Sequence, residues 1–184
     1  MNSHTTTNRA RVLLAAAALA LSVHASANVL GATPACGNGP ADPASGAPST
    51  LARALYEIVS GPAGAAKDWA RLRRLHAPGA LITPTLHVDG GFLAAPQSLE
   101  QFIALNDKLF GQRGFYEREL AQDVRVYGHV AHVWSSYEKR EREDGPVQGR
   151  GLNAFHMLND GTRWCILSAT WDGETPTHPL PAKL

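Results

Sequence analysis

Histidine is the side chain whose charge changes nearest neutral pH, and His132 stands inside the largely apolar run Val130 to Trp134. The preceding run, Tyr116 to Tyr127, carries Asp123. A tight turn at Gly128-His129 would set Asp123 diagonal to His132 across a hairpin, where a carboxylate orients the imidazole and stabilises its charged form. This pair is the candidate catalytic device, with His132 moving a proton and Asp123 behind it. The alternative is a strand histidine satisfied by a backbone carbonyl.

Centring the hairpins on Gly128-His129 and Asp160-Gly161 assigns the other side chains to faces. His132, Trp134, Ser136 and Glu138 then share a face with Asn153, Phe155 and Met157, with Trp164, Ile166, Ser168 and Thr170, and with Glu117, Glu119, Asp123 and Arg125. The opposite face, including Val124, Val133, Leu152, Leu167 and Trp171, is almost wholly apolar. Apolar walls with a few isolated polar groups characterise a small-molecule pocket. The expected lining is Ser136, Asn153 and Ser168 beside His132, with Trp134 and Phe155 as walls and Trp69 closing from a helix. The competing reading makes this the solvated face, since one bulge in the long strand would exchange the two.

Other chemistries lack their residues. Of the eight histidines, His129 and His132 lie three apart beside a strand and point to different sides, and no second ligand pair follows at zinc-like spacing. No metal and no cofactor is expected. Ser135 and Ser136 lie in a strand without the Gly-x-Ser-x-Gly turn of a hydrolase nucleophile, and Gly61, Gly64 and Gly79 form no phosphate loop. Cys36 and Cys165 could pair in an oxidising compartment, or Cys165 could be a buried strand residue while Cys36 stays unpaired in a tail.

The elements that must hold these residues follow from spacing. Ser49 or Thr50 can cap a helix with Leu51, Leu55, Ile58 and Val59 on one face, ended by Gly61-Pro62. Asp68 can cap a second, with Trp69, Leu72, Leu75 and His76 along one side and Pro78-Gly79 as its stop. Ala80 to Val88 and Phe92 to Ala95 read as a short strand pair, and Ser98 with Gln101 as the capping box of a third helix burying Phe102, Leu105 and Leu109. Four strands then form a meander: Tyr116 to Tyr127, Val130 to Arg140, Gly149 to Leu158 and Arg163 to Asp172. Residues 174–184, with three prolines from Pro176 on, read as an extended tail.

Asp68-Trp69 with Leu72 and Leu75, Gly114-Phe115-Tyr116-Glu117-Arg118-Glu119, the run Gly128 to Glu138, Arg150-Gly151-Leu152-Asn153 and Asp160-Gly161-Thr162-Arg163-Trp164 are similar to runs in uncharacterised bacterial members of the nuclear transport factor 2-like superfamily. That superfamily is also called SnoaL-like, after polyketide cyclases. The resemblance spans 51–173 and implies an α+β fold. A curved antiparallel sheet, a four-stranded meander plus short strands, closes into a cone against three helices from the N-terminal half. The hollow of such a cone often holds a small apolar ligand. Members include ketosteroid isomerases, dehydratases, polyketide cyclases and accessory domains, so the fold names no activity. No catalytic position carries over residue by residue.

Arg9 and Arg11, the apolar run Val12 to Leu21 and Ala25-Ser26-Ala27 make residues 1–27 a cleavable signal peptide, and the mature protein is expected to be secreted or periplasmic. No later stretch is apolar for long enough to span a membrane. Residues 28–50, rich in Ala, Gly, Pro and Ser, read as a flexible leader. With 17 basic and 16 acidic side chains and no basic stripe, nucleic acid is excluded as a partner. The leading expectation is an exported homodimeric domain that binds a small apolar or aromatic molecule. One alternative is a cofactor-free isomerase, dehydratase or cyclase using His132; another is a protein-interaction module with a filled hollow.

Overall fold

The computed structural model describes residues 34–88 and 91–184. The expected signal peptide and the first residues of the leader lie outside that range. Helix α1, Pro48–Val59, opens on Pro48 rather than on a side-chain cap at Ser49 or Thr50, because proline's fixed φ suits the first turn and its missing N–H would be unpaired there anyway. Helix α2, Trp69–Leu75, is capped by Asp68, whose carboxylate accepts from the Arg71 N–H at 2.7 Å. The Pro78-Gly79 pair does not follow a helix but lies inside strand β1, His76–Val88. Gly79 has φ of 79°, and the register of β1 shifts between His76 and Leu81, so the pair occupies an irregularity where a proline interrupts no regular ladder.

Strands β2, Gly91–Ala94, and β3, Gln97–Ser98, lead into helix α3, Leu99–Gln112, which carries the Ser98–Gln101 capping box. Its buried stripe differs from the expected one. Ile103 and Phe110 are buried, whereas Leu105 and Leu109 are exposed. Phe110 stacks on Trp69 at 6.2 Å and on Phe115 at 4.9 Å, and this aromatic column sets the rotation of the helix.

The meander consists of β4, Tyr116–Tyr127, β5, Val130–Arg140, β6, Gly149–Asn159, and β7, Trp164–Gly173. Strand order is β2-β1-β7-β6-β5-β4, with β3 also on β1. Every pairing is antiparallel except β1 with β7, so the curved sheet is mixed, and the helices pack on it to give an α+β domain.

Cross-strand partners fix the faces, and the expected assignment is only partly right. His132 pairs with His156, Val133 with Phe155 and Ser135 with Asn153. The helix-facing side therefore takes Ala131, Val133, Ser135 and Tyr137 together with Asn153, Phe155 and Met157, which moves β5 to the other face relative to β6. The eight residues between β5 and β6 are too many for a tight turn to dictate parity. Two further irregularities exchange faces within a strand. One places Leu120 between the pairs Glu119–Tyr137 and Ala121–Ser136, and the other places Leu167 between Met157–Ile166 and His156–Ser168. Glu117 and Glu119 thus turn toward the helices, away from Asp123 and Arg125, while Ala169 and Trp171 replace Ser168 and Thr170 on the inner side.

Gly151 sits where a side chain could not. A Cβ there would overlap the Asp172 carbonyl oxygen and the Tyr137 hydroxyl, so the glycine lets Tyr137 lie flat across β6.

From Cys36 onward the expected flexible leader is packed. Cys36, Asp42 and Ser45 are buried, and Pro43–Gly46 form a 3-10 turn in which Asp42 accepts from the Ala44 N–H at 3.0 Å. Asp42 also pairs with Arg71 at 3.0 Å. Cys36 is joined to Cys165, and with Ala77 and Leu158 they form a small second apolar cluster. Low apolar content did not leave this segment loose, because covalent and ionic ties supply what burial could not. Residues 174–184 carry a Thr175–His178 bridge and are tied to β6 through Glu174, whose N–H donates to the Arg150 carbonyl at 2.8 Å and whose carboxylate pairs with the Arg150 side chain at 2.8 Å.

The bridge closes a loop with a sequence separation of 129, for which chain-entropy reasoning gives a stabilisation of about 5 kcal/mol. The Cys36→Ser/Cys165→Ser double variant is expected to unfold at a markedly lower urea midpoint than the oxidised parent, while the reduced parent approaches the variant. Equal midpoints for all three would show that the clasp contributes nothing.

Candidate functional site

The residues chosen from the sequence do not converge. Asp123 gives its carboxylate to Arg125 at 2.9 Å rather than to His132. The His132 ring lies against His156 at 4.8 Å and Trp134 at 5.5 Å, and its Nε2 is buried without a partner. Burial, then the neighbouring His156 and Arg125, hold His132 below its ordinary value, with Asp123 as the weakest influence in the other direction. The expected carboxylate-oriented imidazole is therefore absent, because the shorter reach from Asp123 is along its own strand to Arg125. Trp134 is 42% exposed, and it shares the face away from the helices with His132, Ser136 and Ser168. Ser136 donates to the Ala121 carbonyl at 3.3 Å. Trp69 donates to Asp107 at 2.8 Å.

Asn153 and Phe155 do reach the hollow between sheet and helices, together with Leu55, Leu72, Phe102 and Trp171. That hollow has shrunk to about 30 Å³. A cavity of this size holds a water or two, whereas ligand sites need roughly 300 Å³ or more. Phe155, Met157, Ile166, Leu51, Leu72 and Leu75 fill the rest of the interior.

A different constellation lies between α1 and β4. Asn153 Nδ2 donates to Tyr56 Oη at 2.8 Å, Tyr56 and Ser135 share a hydrogen bond of 2.7 Å, and Ser135 Oγ donates to Glu119 Oε1 at 2.7 Å. Since Ser135 spends its proton on Glu119, Tyr56 must be the donor to Ser135, and every proton in the chain points toward the Glu119 carboxylate. Gln122 Nε2 donates to both carboxylate oxygens at 2.8 Å, and Arg53 Nε to Oε2 at 3.0 Å. Burial raises the Tyr56 phenol far above its ordinary value, so it keeps the proton that the chain requires. Tyr56, Ser135 and Asn153 are all buried, and the directed chain leaves none of these side chains without a partner.

This chain ends at a groove of about 490 Å³ on the protein surface, bordered by Tyr56, Ser60, Glu117, Glu119 and the arginines Arg53, Arg118 and Arg140. Ser60 fixes the edge of β4, accepting from the Glu117 N–H at 2.9 Å and donating to the Glu117 carbonyl at 3.1 Å. Glu119 and Glu138 are engaged by arginines: Arg118 and Arg140 each approach Glu138 Oε1 at 2.6 Å. The Glu117 carboxylate has no hydrogen bond or ion pair among the described residues. Although solvent reaches part of the residue, burial pushes its carboxyl up to about 8, against a weaker opposing pull from Lys139 across the strand pair. Sequence reasoning set Glu117 and Glu119 on one face with His132, Asp123 and Arg125 and gave them no role, whereas the Leu120 bulge turns them away from those three. Tyr56 was missed because it lies between Leu55 and Ile58 without belonging to the expected apolar stripe. No group of three or more His, Cys, Asp or Glu among the described residues is arranged to hold a metal ion.

No protein-family model matches the chain, and no curated protein matches it in sequence. Solved structures do match. A protein of unknown function with a cystatin-like fold from Nostoc punctiforme superposes with a TM-score of 0.54 at 13% identity, over 72% of this chain and 92% of that one. A protein from Kribbella flavida gives 0.53 at 16% identity, over 68% and 86%. A Streptomyces avermitilis protein, proposed to be a dehydratase of the NTF2-like family, gives 0.51 at 13% identity, over 69% and 93%. The chain has the NTF2-like fold. At such identities the likeness concerns architecture alone. Within that fold this chain has a nearly filled hollow and a polar groove on the α1 side.

The raised Glu117 carboxyl has a consequence for this NTF2-like domain that needs no ligand. Unfolded, Glu117 ionises near its ordinary 4.5; folded, near 8. Between those values the folded state binds the extra proton, so stability falls as pH rises across that window. Glu117→Gln is expected to remove this loss: its urea midpoint should exceed the parent's at pH 8.5 and match it at pH 4.5. Parallel midpoint curves for the two proteins would show that Glu117 titrates normally.

Proposed function

We propose that this domain binds a small polar molecule in the groove between α1 and β4 and exchanges a proton with it through Glu117. The observation that supports this reading is the unpaired Glu117 carboxyl with a value near 8 at the edge of a groove large enough for a metabolite. A group of that strength is divided between acid and base forms close to neutral pH, which suits both halves of a proton transfer. Arg53, Arg118 and Arg140 are positioned to hold an anionic part of the substrate, since each retains unused donors beyond its carboxylate contact. The chain from Asn153 through Tyr56 and Ser135 aims its donors at the Glu119 carboxylate beside the site. The reaction class is a cofactor-free isomerisation, dehydration or cyclisation, with Glu117 in the role first expected of His132. The export segment supports action outside the cytoplasm, secreted or periplasmic.

Incubating the protein in D2O with a panel of small hydroxy- and keto-carboxylates, and reading deuterium uptake by mass spectrometry, tests the proposal. At least one compound should exchange, and Glu117→Gln should slow it by about 10²-fold or more with the fold intact. Uptake unaffected by Glu117→Gln, or no uptake from any member, would sink it.

A second observation supports a homodimer. The sheet face away from the helices exposes Trp134, Val130 and Leu167, a grouping that monomers seldom leave open. Sedimentation should report a dimer that Trp134→Glu dissociates; a monomeric parent protein would dispose of the idea.

A further inference from the structure

The cleft beside the Cys36–Cys165 bridge is distinct from the α1–β4 groove. It measures about 390 Å³ and lies between the clasp segment, the end of α2, the start of β1 and the start of α3. Ala77, Pro78, Ala80 and Leu99 give it an apolar wall. His76 and Leu99 border both this cleft and the small interior cavity, so the apolar wall continues into the core.

The charge on this wall is unbalanced. Arg163 is only 7% exposed, yet no carboxylate lies within ion-pair distance of it among the described residues. Its Nη1 donates to the Gly39 carbonyl at 2.6 Å, and its Nη2 to the carbonyls of Cys36, at 2.7 Å, and Gly37. Carbonyl dipoles satisfy donors without cancelling a buried charge. These bonds use three of the five guanidinium donors, leaving Nε–H and one Nη1–H free. Asp160, close by in sequence, gives its carboxylate instead to the backbone N–H groups of Cys36, Thr162 and Arg163 and to the Thr162 hydroxyl.

Arg74, on the same cleft, has only Asp42 at 3.9 Å, an acid already held by Arg71 at 3.0 Å. Arg73 is matched by Glu100 at 2.7 Å. The lining therefore holds three guanidinium groups, Arg73, Arg74 and Arg163, against one carboxylate, Glu100, a surplus of two positive charges over a mostly apolar surface.

We propose that this cleft is a second binding site, for a small amphiphile with an apolar body and a single carboxylate. Arg74 and the free donors of Arg163 take the carboxylate; Pro78, Ala77, Ala80 and Leu99 cover the body. A purely ionic ligand would leave that wall wet, and a purely apolar one would leave the surplus charge unmatched.

Decanoate is a suitable probe, with decanol and inorganic phosphate as controls, followed by NMR shifts of the Arg74, Ala77 and Leu99 amides on the oxidised protein. Decanoate should saturate, and both controls should bind about tenfold more weakly or not at all. Arg74→Gln should weaken decanoate by about tenfold, whereas Glu100→Gln, which frees Arg73, should strengthen it severalfold. Leu99→Trp should block the body of the probe. None of these variants touches the α1–β4 groove, so the Glu117-dependent deuterium exchange should persist in Arg74→Gln, which keeps the two proposals separable. Absence of saturation, decanol binding as well as decanoate, or indifference to both charge variants would overturn the proposal and leave Arg163 as a clamp on three carbonyls. Selective binding of phosphate alone would overturn it in favour of a simple anion site.

Discussion

The organisation of the interior depends on one extra residue in β4. Side chains of a strand alternate between faces, and Leu120 interrupts that alternation. Without it, Glu119 would stand on the outer face beside Asp123, and the buried Tyr56 and Ser135 hydroxyls would have no anion at the end of their chain. With it, Glu119 gathers Ser135, Gln122 and Arg53, and α1 is tied to β4 and β5 by directed hydrogen bonds as well as by apolar contact. The same turn of the strand leaves Glu117 inward but unserved, which is why one carboxyl is fully engaged and its neighbour two residues away is not.

That asymmetry is the source of whatever chemistry the groove supports. Polar groups near a core are tolerated when every donor and acceptor is matched. Glu119 meets the condition, with Ser135, Gln122 and Arg53 all donating to it; Glu117 fails it, and burial raises its carboxyl. The hollow of the sheet shows the opposite resolution. Phe155, Met157 and Ile166 fill it down to a residual cavity of about 30 Å³, so an apolar molecule of the expected kind has no room there, and the larger clefts lie beside α1 and α2.

Local chemistry made several elements legible from the sequence alone. The Asp68 cap, the Ser98–Gln101 box and the turn at Gly128-His129 depend on neighbours within a few residues, and each forms between the residues that suggested it. Parity was not legible where it depended on distant partners. Nothing local distinguishes Leu120 or Leu167 as the residue a strand will skip, and the segment 141–148 transmits no register from β5 to β6. The pairing of β1 with β7 joins segments far apart in the chain and is parallel, so no turn announces it. These non-local facts decide which side chains meet. The pair His132–Asp123 consequently failed as a device, Tyr56 went unnoticed, and Glu117 and Glu119 were grouped with the wrong neighbours.

The clasp bears on the order in which the domain can be completed. Cys165 lies in the last strand, and the segment that Arg163 grips by its carbonyls precedes every helix and strand of the domain. The two halves of this contact are separated by 129 positions in the chain, so the early segment must wait, unprotected, until β7 arrives. A chain held in a reducing compartment meanwhile would lack the bond that makes the wait end in a closed ring. Sealing is thus a final act, and it marks a domain whose last strand has found its place between β1 and β6.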